Sequence, residues 1–126
     1  MRQAAASIEN APDDQVRGTL SRAIALHRSG AMTEAAALYR HVLELDPRQS
    51  DAAHFLGIVT RDTGDAASAE PLLRRAIAAN DRHPAYHASL GLTLRQLGRP
   101  SEAAEAYRQA VRLKPDFAEG QVNLGN

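Results

Sequence analysis

The sequence contains no cysteine and no tryptophan, and aromatic residues make up only 4% of it. Without cysteine there is no disulfide framework, no thiolate nucleophile and no thiolate metal site. With so few rings, a core has to be built from aliphatic and small side chains. Alanine is abundant, and small side chains let helices approach closely. Charge of one sign is missing too: fifteen Lys and Arg balance fifteen Asp and Glu, a formal net charge of +0. This removes the electrostatic excess that drives non-specific nucleic-acid binding, so no nucleic-acid partner is expected. No apolar run approaches the roughly 20 residues that cross a bilayer. The N-terminus carries Arg2 but lacks the apolar core of about 7–15 residues that a secretory leader needs. A cytoplasmic protein without a membrane partner is the expectation. At 126 residues, 44% of them hydrophobic, the chain has the size and apolar content of one ordinary domain.

What is present is a period. The offset that carries Gly30 onto Gly64 also carries Gly64 onto Gly98, and Ala35 onto Ala69 and Ala103. It aligns Tyr39 with Leu73 and Tyr107, Val42 with Ala76 and Ala110, and Pro47 with Asp81 and Pro115. Leu56, Leu90 and Leu124 fall in phase, each followed by a glycine, and Arg22 stands at the same phase in the first unit. A tandem period of this length marks a repeat architecture. The spacing divides the chain into a lead-in of residues 1–15, expected to be mobile, and units over 16–49, 50–83 and 84–117. A truncated fourth unit covers 118–126. Because that unit stops after its Leu-Gly pair, the chain reads as a fragment of a longer array.

Each unit predicts two amphipathic helices. In the first unit Val16, Leu20, Ala23 and Ile24 recur at helical spacing, as do Ala35, Leu38, Tyr39, Val42 and Leu45 after the glycine. Pro12-Asp13-Asp14 reads as a break before the first helix, and Gly30, Gly64 and Gly98 as turns that need a left-handed conformation. Thr33 and Ser101 are expected to cap the second helices of their units, with Glu34 and Glu102 in the first turn. Pro71 fits if its helix starts near Ser68. One such helix pair cannot bury its apolar face alone, whereas stacked pairs share a continuous core. The predicted fold is therefore all-α, a solenoid of antiparallel helix pairs. A polar Arg22 at the leucine phase suits an end unit with no preceding neighbour to cover.

The Leu-Gly pair, the turn glycine and the following Ala, Tyr, Ala and Pro together resemble the tetratricopeptide repeat, over about residues 16–126. The absence of an early Trp, together with Arg22 and Asp81, departs from the pattern only in ordinary ways. The resemblance implies a right-handed superhelix whose first helices line a concave groove holding an extended peptide or a partner's helix. Three stripes fall on that wall: Ile24, Ile58 and Leu92, continued by Asn126; His27, Arg61 and Arg95; and Leu20, His54 and Ala88, with Phe55 beside them. An apolar floor beside a basic rail suits a peptide carrying apolar and acidic residues, since Arg can hold a carboxylate through two hydrogen bonds. The places that in some repeat proteins grip a chaperone's terminal carboxylate hold Leu20, Ile24, Phe55, Ala85 and Ser89 here, none of them cationic.

The last unit, Asn123-Leu124-Gly125-Asn126, is similar to repeats of bacterial O-linked N-acetylglucosaminyltransferase-like proteins. Their groove carries a ladder of Asn that bonds a peptide backbone. Phe55 and Ser89 occupy the phase of Asn123, so a ladder would begin only there, in a parent protein that continues with more repeats or a transferase domain. A second alternative is self-assembly through an uncapped C-terminal end. Catalysis within these residues is not expected. His27, His41, His54, His83 and His87 are the only acid–base candidates near neutral pH. His83 and His87 lie four apart, but Pro84 stands between them and no carboxylate completes a site, so neither metal nor cofactor is predicted.

Overall fold

The computed structural model describes the backbone of residues 2–116 and the side-chain environments of residues 13–116. Six helices make up the described part: α1 (Arg2–Arg28), α2 (Met32–Leu45), α3 (Ser50–Asp62), α4 (Ala66–Ala79), α5 (Pro84–Gln96) and α6 (Pro100–Leu113). The expected fourth unit, with Asn123 and Asn126, lies outside the described residues. The tightest packing is within the pairs α1–α2, α3–α4 and α5–α6, and α2–α3, α4–α5 and α3–α5 join one pair to the next. This is an all-α repeat solenoid in which α1, α3 and α5 are the first helices of successive units.

The three turns within the pairs are the same structure repeated. Gly30, Gly64 and Gly98 have φ of 88°, 102° and 76°, values that a side chain would strain. At each, the glycine N–H bonds the carbonyl three residues back: Gly30 to His27 at 3.1 Å, Gly64 to Arg61 at 2.9 Å, Gly98 to Arg95 at 3.0 Å. The next N–H reaches five residues back: Ala31 to Leu26, Asp65 to Thr60 and Arg99 to Leu94, at 2.9, 3.0 and 2.9 Å. This pair of bonds is the Schellman closure, which satisfies carbonyls left over at the end of a helix.

The same closure corrects the expected caps. Ala31, Asp65 and Arg99 finish one helix and stand as N-cap of the next, so the second helices start at Met32, Ala66 and Pro100. Thr33 and Ser101 are therefore already inside their helices. Of the three caps, only Asp65 uses its side chain, which accepts from the Ser68 N–H at 3.0 Å. Pro71 lies in the second turn of α4 rather than the first, and it is exposed. There it leaves the Ala67 carbonyl without its helical donor. The N-terminal boundary also moves: α1 begins at Arg2, not Val16, and runs through Pro12. One proline removes one hydrogen bond, and the helix continues on both sides of it.

Residues in register are buried together. Ala35, Ala69 and Ala103, then Tyr39, Leu73 and Tyr107, then Val42, Ala76 and Ala110 are all buried, whereas Arg22 is exposed. Full burial of each large side chain among them contributes about 1.5–3 kcal/mol. The recurring Gly57 and Gly91 explain how the helices of a pair come so close. A Cβ on Gly91 would lie 2.7 Å from Tyr107 Cε1, and one on Gly57 2.8 Å from Leu73 Cδ2. The first helices α3 and α5 thus rest bare backbone on the large residue of their partners, whereas α1 has Ala23 at that phase.

Candidate functional site

The wall formed by α1, α3 and α5 has two seams of different chemistry. Between α1 and α3 it is aromatic and aliphatic. Phe55 is half-buried, stacks on Tyr39 (centroids 5.8 Å apart, 27° between planes) and meets the His27 ring edge-on at 6.3 Å. Burial pushes the Tyr39 hydroxyl up to about 12, so it stays protonated, and it is hydrogen-bonded with His27 Nδ1 at 3.1 Å. Leu20 and Ile24 are half-buried against the same cluster.

Between α3 and α5 the seam is polar. His54 is only 6% exposed, and its Nε2 lies 2.8 Å from Ser89 Oγ. Its ring leans on Tyr86 at 4.6 Å. Burial lowers its pKa to about 4; His83 and Arg61 push the same way, and Asp51 opposes them. The Arg61 side chain is 9% exposed, with Nε donating to Asp62 at 3.2 Å and a terminal N–H reaching the Ser89 carbonyl at 3.5 Å. At the start of the two helices, Tyr86 donates its hydroxyl to Asp51 and lies 3.0 Å from Ser50 Oγ, while His83 stacks on its ring at 4.2 Å.

The site residues expected from the sequence thus fall into three groups. Leu20, Ile24, Phe55, Ile58, Ser89 and Leu92 are half-buried on successive first helices. His27, His54 and Arg61 are engaged in the seams, so the basic stripe is not a continuous rail. Arg95 is exposed near the end of α5, and Asn123 and Asn126 lie outside the described residues. Tyr86, His83, Ser50 and Asp51 also belong to this wall. Their one sequence signal is that Tyr86 stands where the preceding unit has Ala52. His83 and His87 do not come together as ligands: His83 is the exposed N-cap residue of α5, and His87 is buried with Nε2 on the Asp81 carbonyl at 2.8 Å. Among the described residues no group of three or more His, Cys, Asp or Glu could hold a metal ion. Nor, among those residues, is any helix long and apolar enough to cross a membrane.

Helix pairs repeated at one constant spacing and closed by identical turns define a helical-repeat solenoid. The chain belongs to the tetratricopeptide repeat family, whose model matches residues 2–50 and 56–118. No curated protein matches the sequence. Among solved structures, a mutant O-GlcNAc transferase of Thermobaculum terrenum superimposes with a TM-score of 0.86 at 29% identity. The match covers 90% of this chain and 22% of that one, so this chain spans under a quarter of the transferase's length. The first tetratricopeptide domain of Spaghetti (RPAP3), bound to the HSP90 peptide SRMEEVD, matches with a TM-score of 0.86 at 19% identity, over 89% of each chain. The Yersinia enterocolitica type III secretion chaperone SycD, in complex with a peptide of the translocator YopD, matches at 0.82 and 22%, over 89% and 91% of the two chains.

Proposed function

We propose that this chain is a protein-interaction scaffold that holds an extended peptide or a partner's helix against the wall of α1, α3 and α5. The observation that carries the reading is the surface of Leu20, Ile24, Phe55, Ile58 and Leu92. These five residues are half-buried on the first helices α1, α3 and α5, so each keeps part of its apolar surface accessible on the helices that share this wall. The Spaghetti and SycD structures, each with a bound peptide, support the use of such a fold for peptides. Apolar side chains of the ligand dock on this surface, and an acidic one pairs with the exposed Arg95. Chemistry is not assigned to these residues.

The test is selection of binders from a displayed library of random peptides, followed by calorimetry with the selected sequences. Ile58→Glu and Leu92→Glu are expected to weaken binding at least about tenfold, the scale of one lost apolar anchor, with the far-UV circular dichroism unchanged. Unchanged affinity in both variants refutes the reading.

A second reading is supported by the 29% identity to the Thermobaculum transferase: the chain serves as the substrate-recognition region of a longer O-GlcNAc-transferase-like or other repeat-fused transferase. The coding sequence downstream of Asn126 decides it. A third, end-to-end self-assembly, draws on Leu113, which is 38% exposed while its counterpart Leu45 is half-buried. A monomer at every concentration in light scattering removes it.

A further inference from the structure

Among the clefts of the described residues that the groove reading leaves unused, two lie on the side of the second helices. Each lies between the second helices of adjacent units with a first helix as its floor. One, of about 540 Å³, separates α2 from α4, and the other, of about 440 Å³, separates α4 from α6. They are the same place in successive units: Arg40, Leu43 and Leu56 of the first correspond, one repeat further on, to Arg74, Ile77 and Leu90 of the second.

Their chemistry has diverged. Where the first cleft has Glu44, Thr60 and Leu72, the second has Ala78, Leu94 and Ala106. Two large side chains are replaced by alanines and a hydroxyl by a leucine, so the α4–α6 cleft, although the smaller of the two, is lined mainly by apolar side chains. At its base stands His87, 8% exposed, where the preceding unit has Ala53. Its Nε2 donates to the Asp81 carbonyl at 2.8 Å, since a carbonyl can only accept, so in the neutral ring Nδ1 is an acceptor. The rim charges are paired within the chain: Arg74 with Glu70 at 2.9 Å, Glu102 with Arg99 at 2.6 Å, Glu105 with Arg108 at 3.4 Å. Each of these rim charges has its opposite, so the complementary occupant is neutral.

We propose that the α4–α6 cleft is a second docking site, which takes an uncharged aromatic side chain bearing one hydrogen-bond donor, a tyrosine or tryptophan of a partner protein. The ring fills the hollow over Leu90 and Leu94 between Ala78 and Ala106, and its O–H or N–H donates to the imidazole. Such side chains anchor interfaces because one end is apolar and the other seeks a hydrogen bond. The site is independent of the groove on α1, α3 and α5, so one scaffold can hold two partners at once.

The experiment follows backbone amide shifts of the full chain on titration with N-acetyltryptophanamide and N-acetyltyrosinamide. N-acetylleucinamide and free indole serve as comparisons. Saturable shifts in α4, α5 and α6 are expected with the two aromatic amides and not with the leucine amide. Ala106→Leu puts a branched side chain into the space the ring would occupy, using the residue already present at the equivalent Leu72, and it should weaken binding at least about tenfold. Leu94→Thr, matching Thr60, should weaken it less, and Ile58→Glu in the groove should leave it unchanged. Shifts confined to the α1–α3–α5 wall, equal affinity in Ala106→Leu, or tighter binding of free indole than of the tryptophan amide would each overturn the proposal. None of these outcomes bears on the groove, which stands or falls on Ile58→Glu and Leu92→Glu with selected peptides.

Discussion

His54 offers a prediction whose size follows from the structure. It is a histidine buried between α3 and α5, with Arg61 and His83 adding positive charge nearby and only Asp51, already taken by the Tyr86 hydroxyl, to offset them. Its pKa falls from 6.5 in the unfolded chain to about 4 in the fold. The folded state therefore binds fewer protons than the unfolded state across that interval, and stability must drop as pH falls. The contribution is complete above about 6.5 and is lost progressively down through about 4. A gap of that width corresponds to about 3 kcal/mol, or roughly 10 °C in melting temperature for a chain of this size. Thermal denaturation followed by far-UV circular dichroism from pH 7.5 to 4 measures it, with His54→Gln as the comparison. Glu70 and Glu102, whose carboxyls Arg99 holds below their usual range, lose their own stabilisation only at the acid end and do so in both proteins. The wild type should therefore lose its advantage over the variant between pH 6.5 and 4. If the two stability profiles run parallel over that interval, the buried, neutral histidine is wrong.

Further outcomes test the packing and the turns. Gly91→Ala should destabilise by about 2–3 kcal/mol, because the new methyl meets the fully buried Tyr107 ring. Gly57→Ala, facing the narrower Leu73 side chain, should cost less, and urea denaturation orders the two. Pro71→Ala should stabilise by about 1–3 kcal/mol, since it restores a donor to the Ala67 carbonyl at an exposed position of α4. A lower melting temperature in that variant would show that the proline is needed. Arg99→Ala should lower the melting temperature at low salt and much less in molar salt, because Arg99 joins Glu70 of α4 to Glu102 of α6 through partly exposed ion pairs.

The architecture was legible because its punctuation is local. A glycine that must adopt positive φ, an alanine at a helix crossing and a tyrosine filling a junction each act through near neighbours, so their recurrence at a fixed spacing announces the fold. The helix starts were less legible. The residue that closes each Schellman turn also opens the next helix, and no propensity scale marks Ala31 or Arg99 as a cap. The start of α1 eluded the proline rule for a similar reason, since Pro12 lowers the helical preference of one position without overruling its neighbours. The site was legible in part. Phase arguments identify which residues are equivalent, but they do not say which residues touch. Contacts across the polar seam join residues that are one position out of phase, as Asp51 with Tyr86 and His54 with Ser89 show. A histidine and an arginine assigned to a ligand by phase are therefore engaged with the next unit. The outer clefts were invisible for the same reason: their character depends on alanines that look unremarkable one at a time.

The measurement that bears most directly on the account is amide-shift mapping of the isotope-labelled chain with a peptide selected from a random display library. The account predicts that shifts concentrate on Leu20, Ile24, Phe55, Ile58 and Leu92, along one face of α1, α3 and α5, with α2 and the outer faces of α4 and α6 silent. Shifts that leave that face untouched would contradict it.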